Sequence, residues 1–371
     1  MAATASTRTY DLLVGTYTQG NSQGIYRYRF DSGRGEISAH PEQVVVASNP
    51  SWLTLSSDQR RLYAVNENGP GQENLTGTVT SYAIDAHSHA IAVINQVEAQ
   101  GDEPTHSSLS ADGRLLFVAN YAVQPVPGGS AVVLGIDEDG SLLPVRQQAR
   151  YEASGIDPER QASGHVHCVV CAPDGRHVYV SDLGADKVFI YRLDPSDAQS
   201  PLAPASPSEL SLPPGSGPRH LLFNSDGTCA YLTLEMTAQV AKLDVRAGGL
   251  ELSQILDLDL PDGGPMGAAG ALHLSADGRF LYVSNRGAVN QLVVFTVDPS
   301  HGDLREMQRR SVEGDHPREF GIDPSGGYVL IANQHSNAIV VMQRNVDTGV
   351  LGKTVQTFAI DSPSDLKFLT R

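Results

Sequence analysis

Pro218-Arg219-His220-Leu221-Leu222-Phe223-Asn224-Ser225-Asp226-Gly227-Thr228-Cys229-Ala230-Tyr231-Leu232-Thr233-Leu234-Glu235 is two short apolar runs either side of an Asp-Gly pair. That pattern is a strong local signal for a β-hairpin. Folding back at Asp226-Gly227 brings Arg219, seven residues before the turn aspartate, beside Glu235, nine after it. A guanidinium and a carboxylate then share the open end of one hairpin. Related hairpins recur around Asp58, Asp112, Asp174, Asp277 and Ser325, so successive turns lie 54, 62, 52, 51 and 48 residues apart. Between them lie further strand-like runs such as 78–84, 90–97 and 291–297. Four strands in about fifty residues is the period of a propeller blade.

The two ends supply a further repeat. Leu12-Leu13-Val14-Gly15-Thr16 reads as a second strand that opens the chain, and Pro363-Ser364-Asp365-Leu366-Lys367-Phe368-Leu369 as a first strand that closes it. Joining them predicts a single all-β domain over 1–371, with an ordered core from about 9 to 370. It is a seven-bladed β-propeller of four-stranded blades, closed by a C-terminal strand in the N-terminal blade. The 371 residues divided among seven blades give 53 each, which matches the spacing.

Composition narrows the function. A formal charge of −16 repels nucleic acid and anionic membranes, and an anionic ligand would need local cations. No apolar run has the length of a signal peptide or a membrane span, which predicts a cytoplasmic protein. Cys168 and Cys171 are three apart on a strand and point to opposite faces, so core packing is expected rather than a disulfide or a metal. Motifs for dinucleotides, nucleoside triphosphates, serine hydrolases and zincins are absent.

Stacking the repeats on their turns defines two rings of positions at one mouth of the expected channel. Seven before the turn stand Ser51, Thr105, His167, Arg219, Gly270 and Arg318, with Ser364 at the C-terminus. Nine after it stand Glu67, Tyr121, Leu183, Glu235, Arg286 and Gln334, with Thr16 near the N-terminus. Pro precedes the first ring in five repeats and stiffens entry to the strand. Charged residues at such positions often serve only as plugs of a wet channel, and Glu67, Tyr121 and Gln334 fit that role as well as a ligand role. His167, Arg219, Glu235 and Arg286 together suit acid/base work on an anionic substrate. His316 falls at the rim. His106 and His220 follow ring positions, so strand alternation turns them away from the channel toward neighbouring blades.

Val14-Gly15-Thr16-Tyr17-Thr18, Leu62-Tyr63-Ala64-Val65-Asn66-Glu67, Gly217-Pro218-Arg219-His220-Leu221-Leu222-Phe223, Val283-Ser284-Asn285-Arg286 and His316-Pro317-Arg318-Glu319-Phe320 resemble the propeller lactonase family. That family includes bacterial 6-phosphogluconolactonases and the fungal carboxymuconate lactonizing enzyme. The resemblance implies a fold that works without metal or other cofactor, with a His, two Arg and a Glu at its site. These fall on His167, Arg219, Arg286 and Glu235. It also implies sugar-acid lactone chemistry. Arg318 and Gln334, from the two rings, are expected to hold a distal phosphate or carboxylate.

The segment 151–164 is longer and more polar than that pattern and lies where substrate choice would be set. Glu235 is the expected base and His167 the acid, or the reverse, with Arg286 at the oxyanion. 6-Phosphogluconolactone leads as substrate. An aldaric or uronic-acid lactone, a muconate cyclisation and a non-catalytic protein-binding scaffold are the other readings.

Overall fold

In the computed structural model, residues 8–70, 74–124, 126–260 and 266–370 are described. They form strands without an α-helix. The chain divides into two compact units, residues 51–264 and residues 1–50 with 265–371.

The unit 51–264 holds four antiparallel sheets, each of four strands taken in chain order. In the sheet containing the opening stretch, Pro218–Phe223 pairs with Cys229–Leu234, then come Gln239–Arg246 and Gly249–Asp257. The turn is tied by Gly227 N donating to Asn224 O, with Gly227 at φ +70°, which glycine adopts without a Cβ penalty. The Asp226 carboxylate accepts from Thr228 N and Oγ1, and those bonds hold its pKa below the usual value.

The other unit holds two four-stranded sheets and one of five. In the last, the C-terminal strand Pro363–Leu369 pairs with Thr9–Thr16, which pairs with Gly24–Asp31. The first and last segments of the chain thus share one sheet, as the sequence predicts.

Inner strands are buried on both faces because sheets stack within each unit, whereas outer strands such as Leu142–Arg150 expose alternate residues. Tyr179, Val188 and Ile190 of one sheet pack on Leu232, Ala241 and Leu243 of the next. Tyr282, Leu292 and Val294 pack likewise on Val329, Ile331 and Val340. All three cysteines are free, and burial pushes the Cys168 thiol up to about 12 and Cys171 to about 11.

The residue eight after the turn is a repeated fastening point. Asn66, Asn120, Asn285 and Asn333 occupy it, all buried. Asn120 Nδ2 donates to Ala99 O and Asn333 Nδ2 to Val312 O, which ties each hairpin to the segment leading into it. In the hairpin that turns at Asp174 the same place is taken by Asp182, whose Oδ1 accepts from the amides of His165, Gly184 and Ala185. Its Oδ2 is buried and has no hydrogen-bond partner among the described residues.

Burial dominates over those three bonds and raises the Asp182 pKa from about 3.8 to about 6, with Asp186 adding to the rise. A raised acid binds more protons folded than unfolded, so stability falls as pH rises from about 4 to about 6. Above that window the full cost, about 3 kcal/mol, remains. Asp182→Asn keeps the acceptor, restores the residue of four other repeats and removes the charge. It is expected to raise the thermal midpoint by several degrees at pH 7.5 and to give no gain at pH 4. Equal midpoints at pH 7.5 would show that Asp182 carries no such cost.

Candidate functional site

Sequence alternation breaks where the ring residues lie. Val166 pairs with Asp182 and Cys168 with Ser181, so His167 is skipped by the ladder. Thr105 is skipped between Pro104 and His106, Arg318 between Pro317 and Glu319, and Ser364 between Pro363 and Asp365. At Pro218–Leu221, Arg219 and His220 together face one residue of the partner strand. A β-bulge leaves its extra residue outside the ladder and re-aims the side chain.

In the unit 51–264, Glu235 N donates to Gly217 O and closes the open end of its hairpin. Arg219 Nε donates to Glu235 Oε2 at 3.0 Å. The other carboxylate oxygen accepts from Arg160 Nη2 at 2.7 Å. Glu235 is therefore gripped by two guanidiniums of unlike setting: Arg219 is 1% exposed, while the Arg160 side chain is 44% exposed.

Arg160 Nη2 also donates to Tyr121 Oη at 3.3 Å. Burial, and after it the Glu235 charge, raise the Tyr121 pKa, so the phenol stays protonated. The Tyr121 ring meets His167 edge-on at 5.5 Å and stacks on His165 at 4.7 Å. His165 Nδ1 lies 3.0 Å from Tyr121 O, and burial lowers its pKa, which favours the neutral imidazole. Tyr121, His167, Arg219 and Glu235 thus belong to one constellation, reached from three sheets. Glu67 accepts from Ser51 Oγ at 2.5 Å and Thr105 Oγ1 at 3.3 Å.

Two residues escape a reading by alternation. His220 does not turn away from the ring: both its ring nitrogens lie 3.2 Å from Arg219 Nη1, and its ring is 5.2 Å from that of His167. The bulge is the cause, because it puts 219 and 220 opposite a single partner. His106 keeps the expected hydrogen bond to the neighbouring sheet, Val169 N donating to its Nδ1, while its ring lies 5.6 Å from that of His220 and 4.4 Å from that of Trp52. The second residue is Arg160, which comes from the 151–164 segment. No period marks it, and only the unusual length and polarity of that segment signals its importance.

In the unit 1–50 with 265–371, Arg286 Nη2 donates to Ala269 O, and Nη1 lies 3.4 Å from His316 Nε2. His316 has φ +60°, receives no Gly-like relief there, and stacks on His335 at 4.1 Å. Its amide donates to Asn290 Oδ1 and its carbonyl accepts from Gln334 N. Arg318 lies over the Tyr17 ring at 5.0 Å. Gln334 Oε1 is buried with no hydrogen-bond partner among the described residues.

Among the described residues no group of three or more His, Cys, Asp or Glu is placed to hold a metal ion, and no helix is long and apolar enough to cross a membrane.

Residues 11–368 match the family model described as "Lactonase, 7-bladed beta-propeller". The chain is 32% identical over 358 residues to a 6-phosphogluconolactonase of Bacillus subtilis, covering 96% of this chain and 97% of the relative. It is 29% identical to a 6-phosphogluconolactonase of Formosa agariphila, covering 97% and 99%. Among solved structures, the periplasmic gluconolactonase of Pseudomonas aeruginosa superposes with a TM-score of 0.95 at 52% identity, covering 98% of this chain and 99% of that one. Seven sheets counted from their turns, first and last segments sharing a sheet, and a match spanning nearly all the chain give one answer: this protein belongs to the seven-bladed β-propeller lactonase family.

Proposed function

We propose that the protein hydrolyses the intramolecular ester of 6-phosphogluconolactone to 6-phosphogluconate. The observation that carries this is Glu235 held between Arg219 and Arg160, one contact away from the Tyr121–His167 pair. The names of relatives that match over nearly the whole chain support it.

Opening a lactone requires water to lose a proton as it attacks the carbonyl, and the ring oxygen to gain one as it leaves. A Glu235 carboxylate oxygen takes the proton of the attacking water. Arg219, fully buried, fixes the carboxylate in place. His167 protonates the departing oxygen, since imidazole exchanges protons near neutral pH. Tyr121, kept neutral, adds a hydroxyl donor.

Arg286 holds, in its own repeat, the register that Glu235 holds in another. On that ground it is assigned the oxyanion, with Arg318, Gln334 and His316 assigned to anionic and hydroxyl groups of the substrate. Glu67, tied to two hydroxyls, is assigned a supporting place in the same ring. A phosphorylated substrate does not cross membranes, so the cytoplasm is the compartment proposed. The net charge of −16 argues against nucleic-acid or anionic-membrane partners.

A second reading, an unphosphorylated aldonolactone, is favoured by the 52% identical neighbour described as a gluconolactonase. Ring opening releases a carboxylic acid, so a pH-stat assay follows it directly. With 6-phosphogluconolactone, glucono-1,5-lactone and a glucaric acid lactone as substrates, the phosphorylated one is expected to have the highest kcat/KM. Arg286→Ala is expected to lose about 100-fold or more in kcat. A loss within twofold would remove Arg286 from the chemistry, and no rate above background on any lactone would overturn the function.

A further inference from the structure

The guanidinium of Arg160 is anchored at one end and open at the other. Nη2 holds Glu235 Oε1 and Tyr121 Oη, whereas Nη1 and Nε make no hydrogen bond among the described residues. The side chain is nearly half exposed although it rests on a buried carboxylate. These two donors therefore belong to a side chain that solvent reaches and whose third nitrogen touches Glu235.

The position is built. Asp157 Oδ1 accepts from the amides of Glu159 and Arg160, and Gln161 N donates to Asp157 O. Gln161 is fully buried, with Nε2 donating to Leu183 O and Oε1 accepting from Asp157 N. Ser154 N donates to Gly184 O. A short turn pinned at both ends presents Arg160, although the segment carries no regular strand.

A structural ion pair does not need this arrangement, because Arg219 already neutralises Glu235 from the buried side. The molecule carries a formal charge of −16, so an anionic substrate needs a cation near the point of entry. Both two-donor edges of a guanidinium include Nη2, which Glu235 and Tyr121 occupy, so Nη1 and Nε each offer a single charge-assisted hydrogen bond to a phosphate or carboxylate oxygen.

We propose that Arg160 is the specificity residue of this lactonase: its outward donors bind the anionic group that the substrate carries away from the lactone ring, a phosphate or a carboxylate. The inference rests on the lactonase reading and gives to Arg160, within the unit 51–264, the anionic group that this reading otherwise assigns to Arg318. Arg160 also contributes to orienting Glu235, and that effect falls on every substrate alike. The anion-binding effect falls only on charged ones, so a ratio of substrates isolates it.

The test measures KM and kcat of the full chain, wild type, Arg160→Gln and Arg160→Lys, on neutral glucono-1,5-lactone, 6-phosphogluconolactone and a glucaric acid lactone. Arg160→Gln is expected to raise KM for the anionic lactones on the order of 10- to 100-fold more than for the neutral one. Arg160→Lys is expected to recover part of the difference, since it restores the charge but not a second donor for the substrate while Glu235 is held.

An Arg160→Gln variant that loses equally on all three substrates, or that keeps the wild-type preference for charged lactones, overturns the proposal. A wild type that prefers the carboxylated lactone, with the preference lost in Arg160→Gln, supports Arg160 as the anion reader while overturning the phosphorylated substrate. A wild type that prefers the neutral lactone overturns both.

Discussion

Glu235→Gln is expected to lower kcat/KM for lactone hydrolysis by about 1,000-fold, with most of the loss in kcat. The change keeps the size of the side chain and one carbonyl acceptor. It removes the proton acceptor and sets an amide NH2 against one of two guanidiniums that now donate to the carboxylate. If Glu235 only braced the arginines, activity would fall by less than about tenfold.

Arg219→Met carries the largest expected loss of stability. The two arginines at Glu235 look alike in distance and differ in worth. Arg160, nearly half exposed, resembles a surface pair worth about 1 kcal/mol or less. Arg219, its side chain 2% exposed, sits on a carboxylate that is itself 11% exposed. Removing Arg219 leaves Glu235 with only the half-exposed Arg160 as its cation, so the expected cost is about 2–3 kcal/mol, below the roughly 3–5 kcal/mol of a fully stranded buried charge. The urea midpoint should fall accordingly, and Arg219→Met with Glu235→Met should recover part of the loss because neither charge is then stranded. An unchanged midpoint in Arg219→Met would mean that water reaches Glu235 freely.

The hairpins are legible in the sequence because their signals are local. Asp-Gly turns between apolar runs recur at a nearly constant interval, and each antiparallel hairpin pairs residues by their distance from its turn. That same rule brings Arg219 to Glu235 by counting alone. The bulges are not legible: apolar alternation resumes on both sides of the skipped residue, so nothing in the pattern marks the skip at His167 or the pair 219–220. Alternation therefore sends His220 the wrong way.

Arg160 is hidden for a different reason. Its partner lies 75 residues away, and a turn held by Asp157 and Gln161 has no period to betray it. The cost at Asp182 shows only by comparison with the four asparagines at its register.

The central claim, that Arg219 and Glu235 form one chemical device, is met most directly by a double-mutant cycle in kcat/KM on 6-phosphogluconolactone, corrected for folded fraction. Residues acting as a unit predict a double variant, Arg219→Met with Glu235→Gln, within about threefold of the worse single variant. Losses that multiply across the cycle would show that the two side chains act independently, and the claim of a single device would fail.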